Sequence, residues 1–171
     1  LYLNPNLITV RRIKNSFEDT KVDIETDNFP ARCMTNYSAN SLLLENYSVI
    51  EFCTKANTLD NQSMEALRNF SDKKPIIIIN DAMQFSAGVN LNYVMEYVKD
   101  KKWRQIEKFI YDFQRTCKGI KYYEKPVISA PSGLAIGGGF EVICQSDYVV
   151  SHTNVVLGLV ETLVGLIPAG G

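Results

Sequence analysis

At 171 residues, of which 46% are hydrophobic and 22% charged, the chain has room for one folded domain with one sizeable core, and its length argues against a second full domain. The 18 basic residues against 19 acidic ones leave a net charge of -1, without the excess of Lys and Arg that broad nucleic-acid binding needs. The four cysteines, Cys33, Cys53, Cys117 and Cys144, are scattered without a CxxC pair, which argues against zinc and a disulfide framework and fits reduced cytoplasmic thiols.

Residues 1 to about 40 are rich in Asn, Asp, Thr, Lys and Ser and keep no sustained period, so they read as a linker or extension. The core then opens at about residue 41, where Leu42-Leu43-Leu44 and Tyr47-Ser48-Val49-Ile50-Glu51-Phe52 flank a polar Glu45-Asn46 turn and predict two strands. Asp60-Asn61-Gln62-Ser63 offers capping side chains ahead of Met64, Leu67 and Phe70 at helical spacing, which predicts a short helix. Pro75-Ile76-Ile77-Ile78-Ile79-Asn80 is an apolar, β-branched run bounded by Pro and Asn, the pattern of a strand buried on both faces of a parallel sheet.

Lys99, Lys101, Lys102 and Arg104 are the best candidate for a local phosphate contact, but such a run is more often a solvated helix face. Trp103, Ile106, Ile110, Phe113 and Cys117 draw one stripe along a helix ending near Gly119, with Trp103 expected as a core anchor. Pro126-Val127-Ile128-Ser129-Ala130 predicts the next strand, and a helix follows the glycines at 137, 138 and 139 as far as about Gln145. Val149-Val150 and Val155-Val156-Leu157 suggest two further short strands. Strands alternating with helices predict an α/β domain with a mainly parallel sheet and right-handed crossovers. No signal sequence and no apolar run near the roughly 18 residues of a membrane span occurs, so a soluble protein without a membrane span is expected.

Leu134-Ala135-Ile136-Gly137-Gly138-Gly139-Phe140-Glu141 carries the chemistry. Three glycines ahead of a helix let backbone approach a ligand and present unpaired N–H groups, which suit an anion or a developing oxyanion. By itself a glycine triplet more often serves a tight turn or close helix–strand packing, and each glutamate alone more often is an exposed side chain at an element edge. The combination is more telling: Glu141 stands a few residues into the same helix, and Glu161 lies in the apolar stretch Val155–Val164. Carboxylates in apolar surroundings hold their protons more tightly and suit proton transfer. His152, in the polar turn Ser151-His152-Thr153-Asn154, reads as a surface residue, and neither a GxSxG elbow nor a GxGxxG after a first strand is present.

The segments Phe85-Ser86-Ala87-Gly88-Val89-Asn90-Leu91, Pro126 to Glu141, and Leu157-Gly158-Leu159-Val160-Glu161 through Pro168-Ala169-Gly170-Gly171 resemble, in order and spacing, the signature of the crotonase (enoyl-CoA hydratase/isomerase) superfamily. The resemblance covers roughly residues 42–171. Val49 to Asp60 is similar to the hydratase part of bacterial 3-hydroxyacyl-CoA dehydrogenase fusions, in which residues 1–40 would be interdomain linker. It implies an α/β fold of the ClpP/crotonase type, a spiral of β-β-α units. Such members continue well beyond the Pro-Ala-Gly-Gly point with helices that cover the acyl pocket and build a trimer, so the resemblance also implies a fold incomplete at the C-terminal end, with apolar surface left bare.

The resemblance further implies hydration of 2-trans-enoyl-CoA to 3-hydroxyacyl-CoA in fatty acid β-oxidation. The backbone N–H groups of Val89 and Gly138 would form the oxyanion hole, Glu141 would activate water and Glu161 would handle the Cα proton. Ala87, Gly88 and Gly137 would contact the thioester or coenzyme A. No metal and no redox cofactor is implied in this segment; the substrate carries coenzyme A, and NAD would belong to a dehydrogenase domain elsewhere. Asn90 stands where the family usually has Asp, and Val89 replaces a frequent Ala, which bears on the shape of the acyl pocket. Two alternatives stay open: an inactive fragment with crotonase geometry and no competent pocket, and an enoyl-CoA isomerase, which would need only one of the two glutamates.

Overall fold

The computed structural model describes residues 36–69 and 73–171, together with the backbone of three strands nearer the N-terminus. Those strands, β1 (Tyr2–Asn4), β2 (Leu7–Ile13) and β3 (Asp19–Asp23), pair antiparallel in a sheet of their own with β2 in the middle. Of the stretch read as linker, the other residues up to 35, Cys33 included, lie outside the described residues, as does Phe70, whereas residues 36–40 are described and lead into the main sheet.

The main sheet has five strands in the order β4 (Ala39–Leu43), β5 (Ser48–Phe52), β6 (Ile76–Ile79), β7 (Val127–Ala130) and β9 (Tyr148–Val149). The β4–β5 pair is an antiparallel hairpin, and the other three ladders are parallel. Successive strand side chains point to opposite faces, and the isoleucine run shows what this does. Ile76 and Ile78 enter a large cluster with Ile50, Phe52 and Phe85, whereas Ile79 enters a second, smaller cluster with Leu44, Val49 and Ala130. A continuous apolar run is therefore required, because β6 has no face that meets water.

Helices close the larger cluster. In α1 (Asn61–Arg68), Asp60 accepts from the Gln62 and Ser63 amides while the Ser63 hydroxyl accepts from the Asp60 amide, a capping box that fixes where the helix starts. Its Met64 and Leu67 are buried against α3 (Trp103–Lys121), and the Arg68 guanidinium reaches the Asp112 carbonyl and Thr116 hydroxyl of α3. The helix α3 runs past Gly119, and its buried residues are Phe109, Phe113, Thr116, Cys117 and Ile120. The expected stripe is correct only in its second half. Trp103 is 60% exposed, and with Ile106, Glu107, Ile110, Tyr111 and Gln114 it lines an open groove of about 450 Å³ rather than anchoring the core.

Besides β1, β2 and β3, a helix and a strand were not expected from the sequence. The helix α2 (Leu91–Lys99) buries no residue fully, and the strand β8 (Leu134–Ile136) pairs in parallel with β10 (Val156–Gly158) in a separate two-stranded sheet. Just beyond β8, α4 (Gly138–Cys144) begins on the glycine triplet. Among the described residues no helix is long and apolar enough to cross a membrane. Several large apolar side chains near the end of the chain are exposed, Leu163 by 83% and Ile167 by 77%.

Candidate active site

The segment Ser86–Asn90 is held from both sides by main-chain bonds. On one side it bridges to β8, with the Ser86 amide donating to the Leu134 carbonyl at 3.0 Å and the Ile136 amide to the Ser86 carbonyl at 3.0 Å. On the other side, the Leu59 amide donates to the Gly88 carbonyl at 2.8 Å, the Asn90 amide to the Leu59 carbonyl at 2.9 Å, and the Ala87 amide to the Ala56 carbonyl at 3.1 Å. Within a planar trans peptide the C=O and N–H point in opposite directions. Since the Gly88 carbonyl faces Leu59, the Val89 N–H faces away from it.

Gly88 has φ +86°, and a β-carbon added there would stand 3.0 Å from the Ile136 carbonyl oxygen and 3.3 Å from the Gly138 amide nitrogen. Only glycine combines that conformation with that approach. The Gly88-Val89 turn is thereby packed directly against the Gly137-Gly138 backbone, and the Val89 side chain lies 3.1 Å from where a Gly138 β-carbon would be. The Gly137 carbonyl accepts from the Glu141 amide at 3.0 Å inside the first turn of α4, so the Gly138 N–H points out of the helix start. Neither the Val89 nor the Gly138 amide hydrogen is taken by another described residue. Two unspent donors side by side at a helix N-terminus favour an oxyanion.

Glu141 is 4% exposed, and its charge is felt by Cys117 of α3. Its Oε1 accepts from the Gly170 amide at 2.8 Å and from the Gly171 amide at 3.2 Å. Burial pushes its carboxyl above the usual glutamate range; the two amides oppose the rise by favouring the charged form, and the negative charge of Glu161 adds to it. Burial and the same Glu141 charge push the neighbouring Cys117 thiol up to about 12, so Cys117 stays a protonated packing group.

Glu161 opens a 3-10 turn, Glu161–Val164, closed by the left-handed Gly165. Its Oε1 lies 3.2 Å from where a β-carbon of Gly137 would be, and its Oε2 is buried without a hydrogen-bond partner among the described residues. An unsatisfied buried carboxylate oxygen is costly, and a ligand donor or bound water at this point would satisfy it. The sequence-predicted residues Ala87, Gly88, Val89, Gly137, Gly138, Glu141 and Glu161 are therefore one neighbourhood, built from the Ser86–Asn90 segment, the start of α4 and the turn after β10.

The contributions of four residues were not found from the sequence. Asn90 caps α2 through the Tyr93 amide at 3.4 Å, a role that Asn fills as well as Asp and that an Asn ahead of Leu91-Asn92-Tyr93-Val94 could have signalled. Ser86 bonds to the Gly88 amide, and Gly170 and Gly171 bond to Glu141; no local pattern announces either. Elsewhere, His152 is exposed and bonded to Asn154. Lys99, Lys101, Lys102 and Arg104 are all exposed around the start of α3, with Lys102 paired to Asp100. Cys53, Cys117 and Cys144 are free thiols, and among the described residues no cluster of His, Cys, Asp and Glu could hold a metal ion.

Comparison with known proteins identifies the family. The chain is 31% identical over 132 residues to the "Probable 3-hydroxyacyl-CoA dehydrogenase" of Bacillus subtilis, covering 74% of this chain and 17% of that protein. It is 28% identical over 127 residues to the fatty acid oxidation complex subunit alpha of a Psychrobacter species, covering 74% of this chain and 18% of that protein. The chain thus spans less than a fifth of the length of these curated relatives. Among solved structures, an enoyl-CoA hydratase from Polaromonas superposes with a TM-score of 0.68 at 25% identity, covering 78% of this chain and 55% of that one. The enoyl-CoA hydratase/isomerase family pattern matches residues 51–171, and with the crotonase fold around the glycine triplet the chain belongs to that family.

Proposed function

We propose that the site adds water to 2-trans-enoyl-CoA to give 3-hydroxyacyl-CoA, as the hydratase step of fatty acid oxidation. The observation that carries this reading is the pair of carboxylates, Glu141 and Glu161, flanking the same glycine backbone as the free Val89 and Gly138 amides. Family membership supports enoyl-CoA chemistry in general, and the second carboxylate favours hydration over double-bond isomerisation, which needs only one proton carrier.

In this mechanism the thioester carbonyl accepts from the Val89 and Gly138 amides. Glu141 takes a proton from water as the water oxygen bonds to Cβ of the enoyl group, and the π electrons move to Cα and the carbonyl oxygen. The resulting enolate is stabilised by the two amides, a contribution of about 10² to 10³ in rate per donor. Glu161 delivers a proton to Cα, collapsing the enolate to the 3-hydroxyacyl thioester. Water supplies one proton and one hydroxide in sum, so the two carboxyls end in exchanged protonation states and reset through solvent.

Coenzyme A arrives as part of the substrate, with Ala87, Gly88 and Gly137 beside the thioester. On this proposal NAD chemistry, if the whole protein performs it, belongs to a segment outside the hydratase unit. A cytoplasmic location and a trimer of the family kind belong to the same reading. The test is incorporation of heavy oxygen from labelled water into the product formed from crotonyl-CoA. The expected result is one labelled hydroxyl at C3. Conversion of a 3-enoyl thioester to a 2-enoyl thioester without label would instead assign isomerisation, and no conversion of either would remove the reading.

A further inference from the structure

Ser86 is fully buried, and the hydration scheme gives its hydroxyl no task. That hydroxyl accepts the Gly88 amide hydrogen at 3.1 Å, two residues along the chain. A Ser hydroxyl bonded to the amide two residues on closes a small turn in place of a main-chain carbonyl. The turn fixes the orientation of the Gly88 peptide unit, and with φ +86° at Gly88 it sets where the next amide, Val89, points.

The other side of Ser86 faces α4. A β-carbon added at Gly139 would lie 2.5 Å from the Ser86 Cβ, 2.8 Å from its Oγ and 3.0 Å from its carbonyl oxygen. Such distances leave no free space, so Ser86 and the Gly139 backbone are in direct contact. Gly139 follows Gly138 in the first turn of α4, and the main chain of Ser86 is bonded to β8, which leads into that helix. Together with the Gly88 and Val89 contacts to Gly137 and Gly138, this side chain couples the helix start to the 86–90 turn.

We propose that Ser86 is a positioning residue that holds the two amide donors in mutual register: its hydroxyl aims Val89 through Gly88, and its β-carbon sets the distance to Gly138 through Gly139. The inference rests on the proposed hydratase reading. Positioning of this kind acts on developing charge at the carbonyl oxygen more than on the ground-state thioester, so it changes turnover more than substrate binding.

The experiment compares the wild type with Ser86→Ala, Gly139→Ala and the double variant Ser86→Gly/Gly139→Ala. Three readouts are taken: crotonyl-CoA hydration, Kd for 3-oxobutanoyl-CoA, which binds as an enolate with its own ultraviolet band, and Kd for butanoyl-CoA, which keeps a neutral carbonyl. Ser86→Ala removes the bond and keeps the β-carbon. It should lower kcat about fivefold and weaken enolate binding by a similar factor, the loss of one neutral hydrogen bond of ordinary strength, with KM and the butanoyl-CoA Kd within about twofold. Gly139→Ala should lower kcat about tenfold or more by pushing the turn away, and the double variant should recover part of that loss instead of adding to it.

A merely structural serine would lower the folded fraction and scale all three readouts together. Equal scaling, or wild-type values in Ser86→Ala, overturns the inference while hydration by the wild type stands. A wild type that neither hydrates crotonyl-CoA nor shows the enolate band overturns both readings.

Discussion

The Gly170 amide donates to Oε1 of Glu141 at 2.8 Å, across 29 residues of chain. The bond fixes the rotamer of a carboxylate that burial would otherwise leave without partners, and it places that carboxylate between α4 and the chain beyond Glu161. The same contact leaves little free space: a β-carbon at Gly170 would lie 2.4 Å from the Phe113 ring.

The pH dependence of stability follows from the environment of Glu141. Burial, the largest influence, raises its carboxyl above the ordinary range, so the folded protein binds the proton more tightly than the unfolded chain does. The stabilisation from this group is complete below the unfolded-state value and is lost as pH rises through the higher folded-state value. Glu141→Gln keeps an oxygen acceptor for the two glycine amides and removes the charge. It should be more stable than the wild type at neutral pH, with the difference vanishing toward acid. Urea unfolding as a function of pH measures this, and a Gln variant that loses ground as pH rises contradicts it.

Alanine at two glycines should act in opposite directions. Gly137 has φ +53°, and its β-carbon would lie 3.2 Å from Glu161 Oε1. Gly137→Ala should cost about 1 to 2 kcal/mol from backbone strain and lower turnover by displacing Glu161. Gly119 lies inside α3 with nothing within 4 Å of an added β-carbon. Gly119→Ala should therefore stabilise by about 0.5 to 1 kcal/mol through helix propensity. Thermal melts of the two variants decide, and melting temperatures shifted the same way would contradict the assignment.

Two aromatic residues of α3 give the next contrast. Phe113 is buried in the main cluster with its ring against the backbone of Gly138 and Gly170, and Phe113→Ala should cost about 3 to 5 kcal/mol. Trp103 stands largely in solvent, so Trp103→Ala should stay within about 0.5 kcal/mol of the wild type, the range of surface substitutions. Denaturant midpoints check both, and equal losses would mean that the groove along Trp103 is closed in solution.

Asp60→Ala removes the acceptor of the Gln62 and Ser63 amides and should destabilise by about 1 kcal/mol. Asp60→Asn should retain most of that amount, because the amide oxygen still accepts. A loss as large in Asn as in Ala would assign the effect to charge and not to capping.

These contrasts mark how far the sequence could be read. The isoleucine strand was legible because burial on both faces needs an unbroken apolar run, and α1 because Asp60 and Ser63 satisfy each other locally. The glycine triplet, Glu141 and Glu161 stood out in the sequence only as a combination, and roles could be attached to them only through the resemblance to the crotonase signature, because a backbone donor site and its acids meet in space and not at any fixed spacing along the chain. The phase of α3 was not: Phe113 and Cys117 belong both to the stripe through Trp103 and to the buried face through Phe109, and only the packing of α1 and α4 chooses between them. The three-residue β8 is defined by pairing with β10, more than 20 residues away, and α2 shows no clean apolar stripe in the sequence because Leu91 and Met95 are exposed beside the half-buried face of Tyr93, Val94, Tyr97 and Val98. Ser86 and the Gly170 and Gly171 amides were invisible for the same reason, since their partners meet only in the fold.

The most direct test of the central claim, that Glu141 and Glu161 serve one thioester together, is the crotonyl-CoA hydration rate of Glu141→Gln, Glu161→Gln and the double variant. Each single variant should fall by about 10² to 10⁴, and the double variant should fall little further, as expected of groups that act as a unit. Wild-type rates in either single variant, or losses that simply multiply in the double, would contradict it.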